Sequence, residues 1–222
     1  MEKKIVRPII TIDGPAASGK GTITKRVADD FNLFYLETGL FYRVIAKLYL
    51  INSVKKNIKT FLNSISKESF FLENYPKHNL YNEEVAEKAS SLAKLKEVRN
   101  FVLKRQLEIL MDYPKEFKGV ILEGRDCGTV IVPKADLKFF LTAKLEIRAK
   151  RRYDQLLIND KKIKYESVLR DLIIRDNNDT SRKISPLIKA KDAIEVDCSS
   201  VNIEETIIIV KKIILSKLPY FK

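Results

Sequence analysis

Glycine is scarce in this sequence, 7 among 222 residues, and the side chains that most often hold metals or form covalent bonds are scarcer, with 1 histidine and 2 cysteines. Cys127 and Cys198 have neither the spacing of a zinc site nor the number a disulfide framework needs, which excludes both and suits a reducing compartment. The lone histidine, His78, lies between Lys77 and Asn79 in a polar stretch and is given no role. Long apolar runs are missing as well. The best of them, Ile207 to Leu215, is broken by Lys211 and Lys212 and is far too short to span a membrane. The apolar residues after Met1-Glu2-Lys3-Lys4 are interrupted by Arg7, Pro8 and Asp13, so they do not read as a signal peptide. A soluble, monomeric protein of the cytoplasm with no membrane partner is the expectation.

Positive charge is what the chain has in excess: 42 Lys and Arg against 29 Asp and Glu, a net charge of +13. The lysines are dispersed along the whole length among Ile and Asn, and no compact basic tract stands out. A solvated basic surface that attracts anionic nucleotides accounts for this better than a nucleic-acid site. With 45% hydrophobic residues and this length, the chain can build one well-buried core and is short for two.

Against that scarcity of glycine, the stretch IITIDGPAASGKGTITKRVADDF at positions 9 to 31 is informative. Ile9 to Ile12 favour a buried strand, and Ile23, Val27 and Phe31 recur every fourth residue, as on one stripe of a helix. Between them run Gly14, Pro15, Ala16, Ala17, Ser18, Gly19, Lys20, Gly21 and Thr22. Gly-x4-Gly-Lys arises by chance in so glycine-poor a chain with a probability of at most about 0.04. Strand, glycine loop and helix together read as a phosphate-binding loop. Its glycines let successive N–H groups turn inward around phosphate oxygens at a helix N-terminus, and Lys20 adds a point charge. The hydroxyl that usually follows the lysine comes one position late, at Thr22, an ending closer to nucleoside monophosphate kinases than to GTPases or motor ATPases.

Further along, Phe34 to Leu36 reads as a second strand, and Thr38 is expected to cap a helix from Leu40 to Leu50. Thr38 with Arg43 is either a cap and a surface charge or a second anion site. Phe70 to Leu72 is a strand or core filler, and Pro76 breaks any helix there. From Glu83 to Met111 the pattern is helical, with Val98, Val102, Arg105 and Ile109 on one side. On one continuous helix Ser90 and Arg99 would lie about 180° apart, so they serve a common site only if the chain bends near Leu95. Gly119 to Leu122 is a third strand, running into Glu123, Gly124, Arg125 and Asp126, charges in the crevice where open α/β sheets bind ligands. Leu137 to Leu141 is a fourth strand, and Thr142 is expected to cap a helix bearing Arg148, Arg151 and Arg152. These arginines are a solvated face or, with the lysine-rich stretch from Asn159 to Lys164, a mobile flap over phosphates. Arg175, Asp179 and Arg182 fall at i, i+4 and i+7, either an exposed ion-pair ladder or one functional stripe, in an element ended by Pro186. Ala193 to Val196 is a fifth strand. Asn202 and Glu205 cap a last helix whose Ile203, Ile207, Val210 and Ile214 face the core.

Five strands with helical segments between them predict an α/β fold of the P-loop NTPase type, a five-stranded parallel sheet with helices on both faces. A single domain is expected, its core formed by about 1–37, 113–150 and 166–222. Residues 38–112 and 151–165 are excursions from that core and are expected to move; in a kinase of the kind the motifs below resemble they would be the acceptor-binding and lid segments.

The motifs ITIDGPAASGKGT, ETGLFYR, VRNFVLKRQ, EGRDCGTVIVPKADLKFFLTA, RAKRR and RDNNDTSRKISPLIKAKDAIEVD, in this order from Ile9 to about Cys198, resemble the bacterial-type cytidylate kinases. That resemblance implies transfer of the γ-phosphoryl group of ATP to CMP and dCMP with Mg²⁺, in pyrimidine nucleotide metabolism. It gives Gly14 to Thr22 to ATP, Thr38 and Arg43 to the acceptor, and Ser90, Arg99 and Asp126 to cytosine. Arg125 would lie beside them, Arg175 and Arg182 near the phosphates, Asp179 at the ribose, and Arg148, Arg151 and Arg152 in the lid. Metal ligands are left unassigned. The resemblance breaks twice: the family's small three-stranded insert is shortened to residues 52–82, and its usual arginine and threonine are absent where Leu80-Tyr81-Asn82-Glu83-Glu84 leads into Val85. A kinase for UMP or another small acceptor, and a basic ATP-switched nucleic-acid-binding protein, are the rival readings.

Overall fold

A computed structural model describes residues 7–52, 57–66, 68–70, 77–158 and 161–221, and among these all side chains but those of Lys77, His78 and Tyr220. The chain divides into two compact units, one comprising Met1–Leu36 with Pro114–Lys222, the other Glu37–Tyr113. Phe71, Leu72, Pro76, the His78 side chain, Asn159 and Asp160 fall outside the described residues.

The first unit is built on the expected five-stranded parallel sheet, in the order β2-β3-β1-β4-β5. Its strands are β1 (Ile9–Asp13), β2 (Leu33–Glu37), β3 (Gly119–Gly124), β4 (Leu137–Thr142) and β5 (Ile194–Asp197). β1 lies parallel between β3 and β4, with Asp13 opposite Gly124 on one side and Phe140 on the other. Central strands buried on both faces read as near-continuous apolar runs, and Ile10, Ile12, Ile121, Leu137, Phe139 and Leu141 share one cluster. The helix after the glycine loop, α1 (Lys20–Phe31), contributes Ile23, Val27 and Phe31 to that cluster, as its spacing predicts.

The last helix, α9 (Ile203–Lys217), packs Ile207, Val210 and Ile214 into the same core. Ile203 does not follow them. It occupies the first turn and is 38% exposed, because the capping box of Asn202 and Glu205 keeps that turn at the surface. Two helices, α7 (Leu145–Leu157) and α8 (Tyr165–Ser181), pack together through Ala149, Val168 and Leu172, with Tyr153, Leu156, Ile163 and Tyr165 at the margin. Within the expected lid of about 151–165, residues 151–157 form the second half of α7. Thr142 ends β4 and caps nothing; the N–H of Lys144, at the α7 cap, is satisfied by Ser199 Oγ at 2.9 Å. α8 stops at Ser181, ahead of Pro186, where Arg182 turns to an extended conformation.

The second unit carries α2 (Thr38–Ile51), α3 (Ile58–Asn63), α4 (Lys77–Leu80), α5 (Glu83–Leu92) and α6 (Lys96–Met111). Leu40, Val44 and Leu80 form a cluster with Leu48 and Phe70. The helical stretch breaks between α5 and α6, around Leu95. On α6 the inner face is Val98, Arg99, Val102 and Gln106; Arg105 and Ile109 are only half-buried. Thr38 is the first residue of α2 and not its cap, which falls at Glu37. Among the described residues no helix is long and apolar enough to cross a membrane.

Candidate active site

The loop between β1 and α1 depends on glycine at two places. A Cβ at Gly14 would lie 2.0 Å from the carbonyl oxygen of Leu141, and Gly19 has a φ of +86°, so neither position accepts a side chain without strain. Ala17 takes the left-handed conformation too, with φ at 58°, a departure tolerated where the loop must turn its N–H groups toward one centre. Ser18 is fully buried, and its hydroxyl makes no hydrogen bond among the described residues. Thr22 is exposed in the first turn of α1.

Lys20 closes the loop. Its ammonium donates to the carbonyl of Pro15 at 2.9 Å and stands 3.6 Å from Glu123 Oε1, and its side chain is only 6% exposed. Burial, with the fields of Arg125 and Arg175, outweighs Glu123 and lowers its pKa to about 7. Glu123, at the end of β3, also accepts from the Tyr35 hydroxyl at 3.2 Å. Asp13, at the end of β1, accepts the N–H groups of Cys127 and Gly128 at 2.9 and 2.8 Å. It thereby ties the start of the phosphate loop to the π-helical turn Cys127–Ile131 that follows Asp126. Burial raises the pKa of Asp13 despite those two N–H groups.

Asp179 gathers the arginines. Arg125 Nε donates to it at 2.8 Å, Arg182 Nη1 stands at 3.3 Å, and Arg182 Nη2 lies 3.9 Å from Asp126. Burial works against the charge on Asp179, but Arg125, Arg175 and Arg182 overcome it and lower its pKa. The same pairing holds Arg125 above its ordinary value against the cost of burial. An exposed ion-pair ladder is thus ruled out, since the side chains of Asp179 and Arg182 are 12% and 8% exposed. The C-terminal segment folds back to fix this geometry: Arg182 Nε donates to the Ser185 carbonyl at 2.5 Å, and the Leu187 N–H donates to the Asp179 carbonyl at 2.7 Å.

The α7 arginines diverge. Arg148 is buried and donates to the carbonyls of Ala143 at 2.9 Å and Ala16 at 3.1 Å and to Asp176 at 2.5 Å, bracing the phosphate loop from behind. Arg151 reaches the segment between β5 and α9, donating to Cys198 and Val201 carbonyls at 2.6 and 3.2 Å, where it lines a hollow of about 460 Å³ with Asn202, Ile203 and Glu204. Arg152 donates to Gln155 at the surface. The three do not converge, because residues at i, i+3 and i+4 of a helix share a face only broadly, and each meets a different acceptor.

In the second unit, Thr38 is buried and its carbonyl accepts from Gln106 at 3.2 Å. Arg43 donates to the Leu80 carbonyl at 2.9 Å and lies 4.9 Å from the centroid of the Tyr81 ring. Arg99 donates to the Ala93 carbonyl at 3.2 Å and lies 5.6 Å from the centroid of the Tyr42 ring. Ser90 is half-buried on α5. The break between α5 and α6 removes the 180° separation that one continuous helix would impose on Ser90 and Arg99.

The family model for cytidylate kinase matches residues 10–216. The cytidylate kinase of Thermosipho melanesiensis is 39% identical over 216 residues, covering 94% of this chain and 97% of that protein. That of Clostridium tetani is 38% identical over 220 residues, covering 95% of each. The chain belongs to the cytidylate kinase family. As a member it is an ATP-dependent nucleoside monophosphate kinase. Among solved structures, an uncharacterized protein from Eubacterium ventriosum aligns with a TM-score of 0.51 at 13% identity, over 95% of this chain and 99% of that one, a likeness of fold alone.

The cytidylate kinase motifs contain Asp13, Glu123 and Asp176 but give them no role, beyond a place for Glu123 in the crevice at the end of β3. Each is a carboxylate whose partners lie far along the chain, and only position at a strand end hinted at the first two. Among the described residues no group of three or more His, Cys, Asp and Glu could hold a metal alone. Mg²⁺ in phosphoryl transfer needs less: it keeps several waters and takes one or two carboxylates beside the substrate phosphates. Glu123 fits that requirement, since its Oε2 lies 3.7 Å from where a side chain at Gly21 would begin, the position of the usual hydroxyl.

Proposed function

We propose that the protein transfers the γ-phosphoryl group of ATP to CMP and dCMP, yielding ADP with CDP or dCDP, as a cytoplasmic monomer. One observation carries this reading: the glycine-dependent loop ends in a buried lysine beside Glu123, in a field shared with Arg125 and Arg175. Loop N–H groups and Lys20 hold the donor phosphates. α7 links Arg148, which braces the loop, to Arg151 at the hollow one turn on, roughly 4.5 Å along the helix axis, and that hollow has room for the donor's base.

Phosphoryl transfer asks for in-line positioning and neutralisation of the oxygens more than for covalent chemistry. Lys20, Arg125, Arg175 and Arg182 supply positive charge. Mg²⁺, when bound, neutralises oxygens of the donor phosphates, and Glu123 is the carboxylate to hold its water shell. The acceptor is already an anion, so no general base is needed.

Asp126 selects the base. Cytosine offers an N4 amino donor to the carboxylate, whereas uracil sets its O4 acceptor against it. The mismatch is worth roughly 2 to 5 kcal/mol, about 30- to 5,000-fold in kcat/KM. A coupled ADP assay with CMP, dCMP and UMP, repeated with RNA and DNA, tests the reading. Strong preference for CMP and dCMP, narrowed in Asp126→Ala chiefly by loss of CMP turnover, is the expected result. Equal CMP and UMP rates would remove Asp126 from base choice, and ATP hydrolysis driven by RNA alone would remove the kinase assignment.

A further inference from the structure

Tyr81 stands where the family resemblance breaks, and no role has been attached to it. It belongs to the same unit as Arg43, which the resemblance to cytidylate kinases gives to the acceptor. One contact joins them directly and two more hold each in place. The Arg43 guanidinium carbon lies 4.9 Å from the centroid of the Tyr81 ring, Arg43 Nη1 donates to the Leu80 carbonyl at 2.9 Å, and the Tyr81 hydroxyl donates to Glu37 Oε2 at 2.7 Å. Glu37 is the cap position of α2, the helix that carries Arg43. The ring is thus anchored at its hydroxyl end to the start of the helix and offers its face to the arginine 6 residues on.

An aromatic face attracts a guanidinium by its quadrupole and fixes the plane of the fork. The ring lies over the guanidinium carbon of Arg43, whereas phosphate recognition uses the N–H groups. A long arginine held this way loses less side-chain entropy when an anion arrives. The position of Tyr81 is itself set by Asn82, whose Oδ1 caps α5 by accepting the Val85 N–H at 2.9 Å.

We propose that Tyr81 is a positioning residue of the acceptor site, holding the Arg43 guanidinium ready for the phosphate of the nucleoside monophosphate. The inference rests on the kinase reading given above. Its reach is limited to the phosphate, since nothing in these contacts touches a base or a sugar.

Calorimetric titrations of wild type, Tyr81→Phe, Tyr81→Ala, Arg43→Ala and the Tyr81→Ala/Arg43→Ala double variant with CMP and with cytidine test it. Tyr81 is 43% exposed, so the variants should fold, and circular dichroism and Tm check that they do. Tyr81→Ala should weaken CMP about 3- to 10-fold and leave cytidine unchanged, from the loss of a partly desolvated cation–π contact and its anchor. Tyr81→Phe, which keeps the face, should weaken CMP about 2-fold. In the Arg43→Ala background, Tyr81→Ala should add no further loss. CMP binding by Tyr81→Ala equal to wild type, or an equal loss for CMP and cytidine, would overturn the inference while leaving the kinase reading intact. Wild-type protein that bound no CMP would overturn both.

Discussion

Lys20 Nζ stands 3.6 Å from Glu123 Oε1, a contact between the first turn of α1 and the end of β3. Two charges that are taken out of water must satisfy each other or surrender a proton. Here burial weighs most, Arg125 and Arg175 add to it, Glu123 and Asp179 offset only part, and the pKa of Lys20 falls to about 7. An ammonium poised in this way responds to any anion that enters the loop.

ATP binding should therefore take up a proton at mildly alkaline pH. In the free protein Lys20 is largely neutral above about pH 7, and triphosphate oxygens favour its charged form and raise its pKa again. Calorimetry at pH 8 in buffers of different ionisation enthalpy should show uptake approaching one proton, and kcat/KM for ATP should fall as pH rises through about 7. Lys20→Ala should abolish the uptake and lower kcat by about 100-fold or more. Binding without proton uptake between pH 7 and 9 would mean that Lys20 is charged throughout.

Arg125 and Asp179 form a buried pair at 2.8 Å, and removing one member strands the other. Asp179→Ala should cost about 3 to 5 kcal/mol in denaturant unfolding, the penalty of an uncompensated buried charge, and should weaken CMP. Arg125→Met with Asp179→Leu should recover part of that stability without recovering activity. Asp179→Ala as stable as wild type would show that Arg125 needs no counter-ion from Asp179.

Asp13 uses both carboxylate oxygens on successive N–H groups, at Cys127 and Gly128. Asparagine has one acceptor and would set an amide N–H₂ against the other N–H, a buried mismatch of about 1 to 3 kcal/mol. Asp13→Asn should release the turn that begins after Asp126 and narrow the preference for CMP over UMP, although residue 13 lies in the donor loop. Selectivity equal to wild type, with only Tm lowered, would reduce Asp13 to a structural role.

The course of the chain determined much of this by itself. Alternating apolar runs and helical stripes fixed five strands and the packing of α1, since Ile23, Val27 and Phe31 need only local spacing to face a core. The glycine loop was legible for the same reason: Gly14, Gly19 and Lys20 are neighbours whose residue types restrict the backbone directly. The capping box at Asn202 and Glu205 is likewise local.

What local pattern could not decide was where long side chains go. From spacing alone Arg175, Asp179 and Arg182 favour an exposed ladder slightly over a functional stripe, until α8 is packed beside Arg125. Arg148 and Arg151 look alike in sequence, yet one braces Ala16 and the other turns to Cys198. Thr38, Thr142 and Ile203 were misplaced at helix ends, where one residue's shift changes the role and where the deciding partners, such as Ser199 for Lys144, are distant in sequence. Asp13, Glu123 and Asp176 owe their functions to groups 100 or more residues away or to another helix, and a charge acquires its pKa only from the neighbours that folding supplies.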